Sequence, residues 1–373
     1  MRNDEGKTMT EVTIGSVLGD PEAPVRLDAR RFNRHTFWCG QSGSGKTYAL
    51  GAVLEQLLLH TELPILILDP NADFVHLPEA RETASAEDAQ RLAETDIRVF
   101  RSSPGEGEPL HVRYLDLSTG SEAALLRLDP IADAEEYNVL LNSDERAESF
   151  SAAEMLARLR GSGDPGQIRL ANRIDNLEVL RWDLWSRGES SVVDVIDERP
   201  RGTVLDLGGF THPSESKVAA LAVLEHLWAR REERRPILIV IDEAHNLCSP
   251  HPRTDVERAL TEQLVQIAAE GRKFGLWLLL STQRPTKIHP NVLSQCDNLG
   301  LMRVNAPRDL LELSEVFGFA GEDEVRRSAS FGLGQALFAG GFVAEPTFVQ
   351  MGDRVTEEGG GDVRVPLRDM PSV

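Results

Sequence analysis

The chain is short of lysine, of cysteine and of long apolar runs, and each shortage excludes something. Its lysines are Lys7, Lys46, Lys217, Lys273 and Lys287 alone, so arginine supplies most of the positive charge. Acidic residues outnumber basic ones 60 to 40, a formal net charge of −20. That balance excludes general adhesion to nucleic acid, because phosphate neutralisation needs clustered cations. It leaves room for a local basic channel inside a ring. The cysteines Cys39, Cys248 and Cys296 lie far apart without CxxC spacing. Such usage predicts reduced, partly buried thiols and argues against a metal site built from them. No stretch approaches the roughly 18 consecutive apolar residues of a membrane span. Met1 to Asp20 is polar and acidic, without the apolar core of a signal peptide. The expectation is a soluble cytoplasmic protein with no membrane partner.

With 373 residues, 41% of them hydrophobic, the chain can bury a sizeable core in one large domain or two smaller ones. Short apolar runs predict buried strands at His35–Cys39, Leu63–Asp69, Thr203–Leu207, Pro236–Asp242 and Leu276–Ser281. Shorter strands are expected at Ile97–Phe100, Asn298–Val304 and Gln335–Ala339. Helical patterns fill Lys46–Leu59, Glu215–Arg231 and Val256–Gly271. Between Ser118 and Arg201 the pattern turns helical, with stretches at Ala152–Arg160 and Ile168–Trp182 separated by a Gly- and Pro-rich turn over Gly161–Gly166. Near-continuous apolar strands alternating with helices predict an α/β fold, a mostly parallel sheet with helices on both faces. The expected organisation is a core in two parts, 1–117 and 202–352, with a helical insertion at 118–201 and a flexible C-terminal tail at 353–373.

Chemistry enters at Gly40-Gln41-Ser42-Gly43-Ser44-Gly45-Lys46-Thr47, which matches G-x-x-x-x-G-K-[ST] at every fixed position. Glycines let successive N–H groups point at a phosphate, and the following helix aims its positive end at the same anion. Lys46 suits the β- and γ-phosphates, and the Thr47 hydroxyl suits Mg²⁺. A glycine-rich turn matching by chance is the alternative, and the strand before and helix after weigh against it. The fold class is therefore a P-loop NTPase of RecA-like type, with ATP and Mg²⁺ as cofactors.

Asp242 and Glu243 close an apolar strand. In P-loop enzymes a strand-end Asp orders the metal shell, and an adjacent Glu can polarise the attacking water. Alone the pair would read as a solvated turn; beside a phosphate loop it reads as catalytic. Gln283, just past Leu276–Ser281, is an amide suited to sensing the γ-phosphate or positioning water. Asp69, ending the second strand, faces the same carboxyl edge, where α/β sheets bind ligands. Arg272 lies in Gly271-Arg272-Lys273-Phe274-Gly275 and suits stabilisation of transition-state charge, often from a neighbouring molecule. A basic helix terminus favoured by the macrodipole is its alternative reading. The mixed run Arg230–Arg235 reads as a solvated turn. His245 suits either orienting the site or a structural hydrogen bond.

The order GQSGSGKT, ILDPNADF, ILIVIDEAHNL and GRKFGLWLLLSTQRPTKIHPNVLSQCDN resembles the HerA branch of the HerA/FtsK P-loop ATPases, and LGQALFAGGFVAEPTFVQM resembles that family's final strands. The resemblance covers most of Val12 to Met351. It implies a homo-hexameric ring with ATP between subunits and double-stranded DNA in the pore. Carried over by motif, Lys46 and Thr47 hold phosphate and metal, Asp242 and Glu243 form the Walker B pair, and Gln283 is the polar sensor. Arg272 is then the arginine reaching a neighbour's nucleotide. Arg34 matches a position that is often basic, and Asp69 the acidic position after the second strand. Arg253, Lys287 and His289 are candidates for the pore. The family usually carries a β-barrel before the ATPase, and 39 residues before Gly40 are too few for one.

Two functions follow as expectations. One is a DNA-translocating ATPase working with a nuclease or an anti-phage effector. The other is a nucleotide-dependent hexameric scaffold that activates a partner enzyme without obligatory translocation, which the acidic composition suits. A conjugation or secretion motor is disfavoured by the lack of membrane segments.

Overall fold

The computed structural model describes residues 11–103, 107–142, 152–186 and 190–359. The N-terminal residues 1–10, with Lys7, lie outside the described residues. So do 360–373 of the expected tail and, within the 118–201 segment, 143–151 and 187–189.

Among the described residues the core is one twelve-stranded sheet. In chain order the strands are β1 (Glu11–Val17), β2 (Asp20–Asp28), β3 (His35–Cys39), β4 (Ile65–Asp69), β5 (Ile97–Arg101), β6 (Glu108–Pro109), β7 (Gly202–Asp206), β8 (Ile237–Ile241), β9 (Leu276–Thr282), β10 (Cys296–Leu301), β11 (Gln335–Gly340) and β12 (Thr347–Met351). Across the sheet they run β2-β1-β12-β11-β10-β3-β9-β8-β4-β7-β5-β6. From β10 to β6 every neighbour pairs parallel; from β10 to β2 every pair is antiparallel. The parallel strands read as unbroken apolar runs because both their faces are covered. In β4, Ile65 and Ile67 enter one hydrophobic layer while Leu66 and Leu68 enter the other, and β8 divides Leu238 and Val240 from Ile237, Ile239 and Ile241 in the same way.

Helix α1 (Lys46–His60) covers one face through Leu50, Val53, Leu54 and Leu57. The helices α8 (Glu215–Ala229) and α9 (Asp255–Glu270) cover the other, where Val218 to Leu224 of α8 are all buried. A helix apolar on all sides needs a second layer outside it. Helices α3 (Thr119–Leu125), α4 (Ala134–Leu141), α5 (Ala152–Gly161), α6 (Pro165–Leu177) and α7 (Val192–Glu198) contribute buried residues to that same layer. The break between α5 and α6 falls in the expected turn, and Asp164 caps α6 by accepting from Gln167 N–H at 2.9 Å. The other helices are α2 (Ala86–Ala93), α10 (Pro290–Leu293), α11 (Pro307–Val316) and α12 (Glu322–Arg327).

Four expectations change. The β1–β2 hairpin occupies a stretch expected only to be polar and acidic; Val12 and Ile14 alternate inward and Gly19 takes φ 91° in its turn. The helix expected over Ile168–Trp182 runs Pro165–Leu177, because Glu178 adopts a left-handed conformation at φ 55° and ends it. Residues 353–359 of the expected flexible tail form a packed strap, with Arg354, Val355 and Thr356 all buried. The three cysteines are free and buried, more completely than expected. Among the described residues no helix is long and apolar enough to cross a membrane.

Candidate active site

The phosphate loop joins β3 to α1 at the carboxyl edge of the sheet. Gly43 and Gly45 take φ 70° and 84°, which their lack of Cβ permits. At Gly40 a Cβ would stand 2.6 Å from the Met302 side chain, so the residue just after β10 packs too close for any other residue. The loop is held from outside: Gln41 N–H donates to Arg303 O at 2.9 Å, and the Arg303 guanidinium donates to Gly43 O at 3.0 Å. Gly334 N–H reaches Ser44 O at 3.3 Å. Ser42 and Gly43 stay exposed, and Thr47 follows Lys46 in the first turn of α1.

Lys46 is buried and donates to Asp242 Oδ1 at 2.7 Å and to Ser281 Oγ at 2.9 Å, with Glu243 Oε1 at 3.2 Å. Burial opposes its charge, yet the carboxylates of Asp242 and Glu243 hold the ammonium above its ordinary value. Ser281 donates to Asp242 Oδ1 at 2.6 Å, closing a buried triangle at the ends of β8 and β9. Glu243 leaves β8 with a left-handed φ of 42°, a conformation of the kind that gathers at functional sites. Gln283 donates to its Oε1 at 2.7 Å, and His245 Nδ1 stands 3.2 Å from Oε2 and 3.0 Å from Thr282 Oγ1. Burial raises the Glu243 carboxyl, but His245, Lys46 and Gln283 outweigh it and bring the pKa down to about 2. Glu243 is thus ionised at any physiological pH.

Asp69 also lies at this edge. Its Oδ1 accepts from the N–H groups of Asn71 and Asp73 at 3.2 and 3.1 Å, and its Oδ2 from Phe74 N–H at 2.8 Å. Burial raises it to about 6 despite those donors. The loop it caps carries Asp73, which burial and the charges of Asp242 and Asp69 push up to about 7. Carboxylate oxygens of Asp69, Asp73 and Asp242 lie within 4.8 Å of one another. Asp242 Oδ2 is buried with no hydrogen-bond partner. Hard oxygen donors with an orphaned lone pair, as at Asp242, are of the kind that fits Mg²⁺.

The two arginines lie elsewhere. Arg272 donates to Asp297 at 2.5 Å, and Arg34 stands 3.7 Å from the same carboxylate. Both precede strand starts, at the amino edge of β3 and β9, while the phosphate loop follows the carboxyl edge. Six residues of extended chain separate Arg34 from Gly40, roughly 20 Å. Neither arginine reaches its own chain's phosphate loop, and both guanidinium groups are well exposed, over one carboxylate. Arg253, Lys287 and His289 lie on loops following β8 and β9. His289 is spoken for locally, accepting from Asn291 N–H at 3.3 Å as the cap of α10.

Ser281, Asp73 and Arg303 were not singled out from the sequence. Ser281 and Arg303 each sit at or just past a strand end on the carboxyl edge, a positional signal that isolated Ser and Arg residues do not make distinctive. Asp73 lay in view within DPNADF, but its approach to Asp242 needs the loop that Asp69 folds.

A family model for the central domain of the helicase HerA matches residues 12–226, more than half of the chain. The DNA double-strand break repair helicase HerA of Sulfurisphaera tokodaii is 25% identical over 91% of this chain and 69% of that protein. Similarity to the probable DNA double-strand break repair helicase HerA of Methanocaldococcus jannaschii is 32% over 35% of this chain, spanning 25% of that protein. Among solved structures, VirB4 of Thermoanaerobacter pseudethanolicus superposes with a TM-score of 0.59 at 16% identity, covering 94% of this chain and 98% of that one. That likeness speaks for the fold.

Proposed function

The chain belongs to the HerA family of P-loop ATPases, and from that premise we propose that it is a ring-forming motor coupling ATP hydrolysis to movement of double-stranded DNA. Six copies form the ring, and a nuclease or an anti-phage effector is the partner it serves. One observation supports the reading: the residues expected to form the site fall at the two edges of the sheet. Lys46, Thr47, Asp242, Glu243 and Gln283 gather at the carboxyl edge, and Arg34 and Arg272 stand at the other. A second copy supplies the missing cations when the edges of neighbouring chains meet, as closed heterologous rings require.

In the step itself a water oxygen attacks the γ-phosphorus and the bond to the β,γ-bridging oxygen breaks, leaving ADP and inorganic phosphate. Glu243, ionised and fixed by Gln283, orients that water and accepts its proton. Lys46 exchanges Asp242 for the β- and γ-phosphates. The arginine of the neighbour meets charge that grows in the transition state. Asp242 and the Thr47 hydroxyl would hold Mg²⁺, which would supply Lewis-acid stabilisation of the phosphate oxygens.

The test is complementation. Lys46→Ala and Arg272→Ala are each expected to be inactive alone. Mixed at equal amounts, about a quarter of random interfaces carry both intact groups, and activity returns. A mixture no more active than its parents refutes the shared site. The scaffold reading draws on the net charge of −20, and it gains if Glu243→Gln still assembles and activates the partner enzyme.

A further inference from the structure

We propose that this chain takes up a divalent cation before any nucleotide arrives, and that Asp73, with Asp242, supplies its carboxylate oxygens. The use of that cation in hydrolysis rests on the ATPase reading; its binding does not.

The three clustered carboxylates have different freedom. Asp69 has both oxygens engaged by the N–H groups of Asn71, Asp73 and Phe74, so it anchors the loop. Asp242 has Oδ1 engaged by Lys46 and Ser281, while its Oδ2, in a side chain that is 0% exposed, has no donor. A buried carboxylate oxygen without a partner is destabilising and calls for a ligand. Asp73 offers an oxygen within 4.8 Å of that Asp242 carboxylate. Asp69, Asp73, Asp242 and Glu243 bring four carboxyl groups to this edge, against the single ammonium of Lys46 that contacts Asp242 and Glu243. All the donors are hard oxygens, which select Mg²⁺, Mn²⁺ or Ca²⁺ over softer metals.

The position of Asp73 is built. Ala72 before it takes φ 58°, and Gly359 of the C-terminal strap donates its N–H to Asp73 O at 3.1 Å. At Gly359 a Cβ would stand 2.1 Å from Ala72 O, so only glycine lets the strap lie this close. Asp69 beneath and Gly359 above hold the loop from two sides.

The experiment uses Mn²⁺ alone with the nucleotide-free full chain, read by the paramagnetic resonance signal of free Mn²⁺. One saturable site per chain is expected, weakened on the order of 10- to 100-fold in Asp73→Asn. Thermal melting keeps the variant interpretable: without metal both proteins melt alike, and a given Mn²⁺ concentration raises the midpoint of the wild type more than that of the variant. Absence of saturable binding to the nucleotide-free chain, or equal affinity in Asp73→Asn, overturns the proposal. If Mn²⁺ binds through Asp73 while ATP is never turned over, the cation site stands and the ATPase reading falls.

Discussion

Replacing Arg354 with methionine tests how the C-terminal strap is fixed to the helix that follows the phosphate loop. Arg354 is 2% exposed and Glu55 of α1 is 1% exposed. The guanidinium donates to Glu55 Oε1 at 2.8 Å and to Thr356 Oγ1 at 2.8 Å, while Val355 N–H donates to Glu55 Oε2 at 2.7 Å. Gly51 makes room, since a Cβ there would stand 2.5 Å from the guanidinium carbon. Arg354→Met leaves Glu55 buried without its cation, a loss of about 3–5 kcal/mol. An unfolding entropy of about 2.1 cal/mol/K per residue, over a chain of this size, converts that to a fall in Tm of about 4–6 °C. Removing both charges in Glu55→Leu with Arg354→Met is expected to restore part of the loss, because two apolar groups of similar volume replace the pair. Differential scanning calorimetry of the wild type, both single variants and the double variant supplies the cycle. A fall under about 1 °C, or strict additivity of the two changes, would refute the clasp.

Two further outcomes follow from the site and its surroundings. Glu243→Gln is expected to lower kcat on the order of 10²–10⁴-fold while nucleotide affinity stays within a few-fold, measured by single-turnover hydrolysis and fluorescent-nucleotide titration. His35, buried where its Nδ1 accepts from Leu278 N–H at 2.9 Å, has its pKa lowered by burial to about 4. It is neutral in the fold and takes a proton in the unfolded chain below its ordinary value of 6.5. Its contribution is complete above that value and is lost as pH falls towards 4, a total of about 3 kcal/mol. Urea unfolding at pH 7 and pH 4.5 is expected to show a steeper loss for the wild type than for His35→Gln.

The chemistry of this chain is legible where it is local. The phosphate loop, the Asp242–Glu243 pair and the apolar strands before them are contiguous patterns, and each of those strands forms close to its expected bounds. Two parts of the architecture were less legible. The β1–β2 hairpin carries a bulge at Gly15 and two prolines in its outer strand, which blur the alternation of Val12 and Ile14. The strap at 353–359 is charged and glycine-containing, so it reads as solvated; it is buried because Glu55, 299 residues away in sequence, meets Arg354. Ser281 and Asp73 approach Asp242 only when β8, β9 and the loop after β4 converge. Arg272 pairs with Asp297 at the amino edge of β9, away from the phosphate loop of the same chain, a placement that GRKFG alone does not reveal.

The most direct measurement is the rate of ATP hydrolysis with and without duplex DNA, over a series of DNA lengths. The motor account predicts a rate that rises on adding duplex DNA, rises with its length and vanishes in Glu243→Gln. Hydrolysis indifferent to DNA of every length would contradict it.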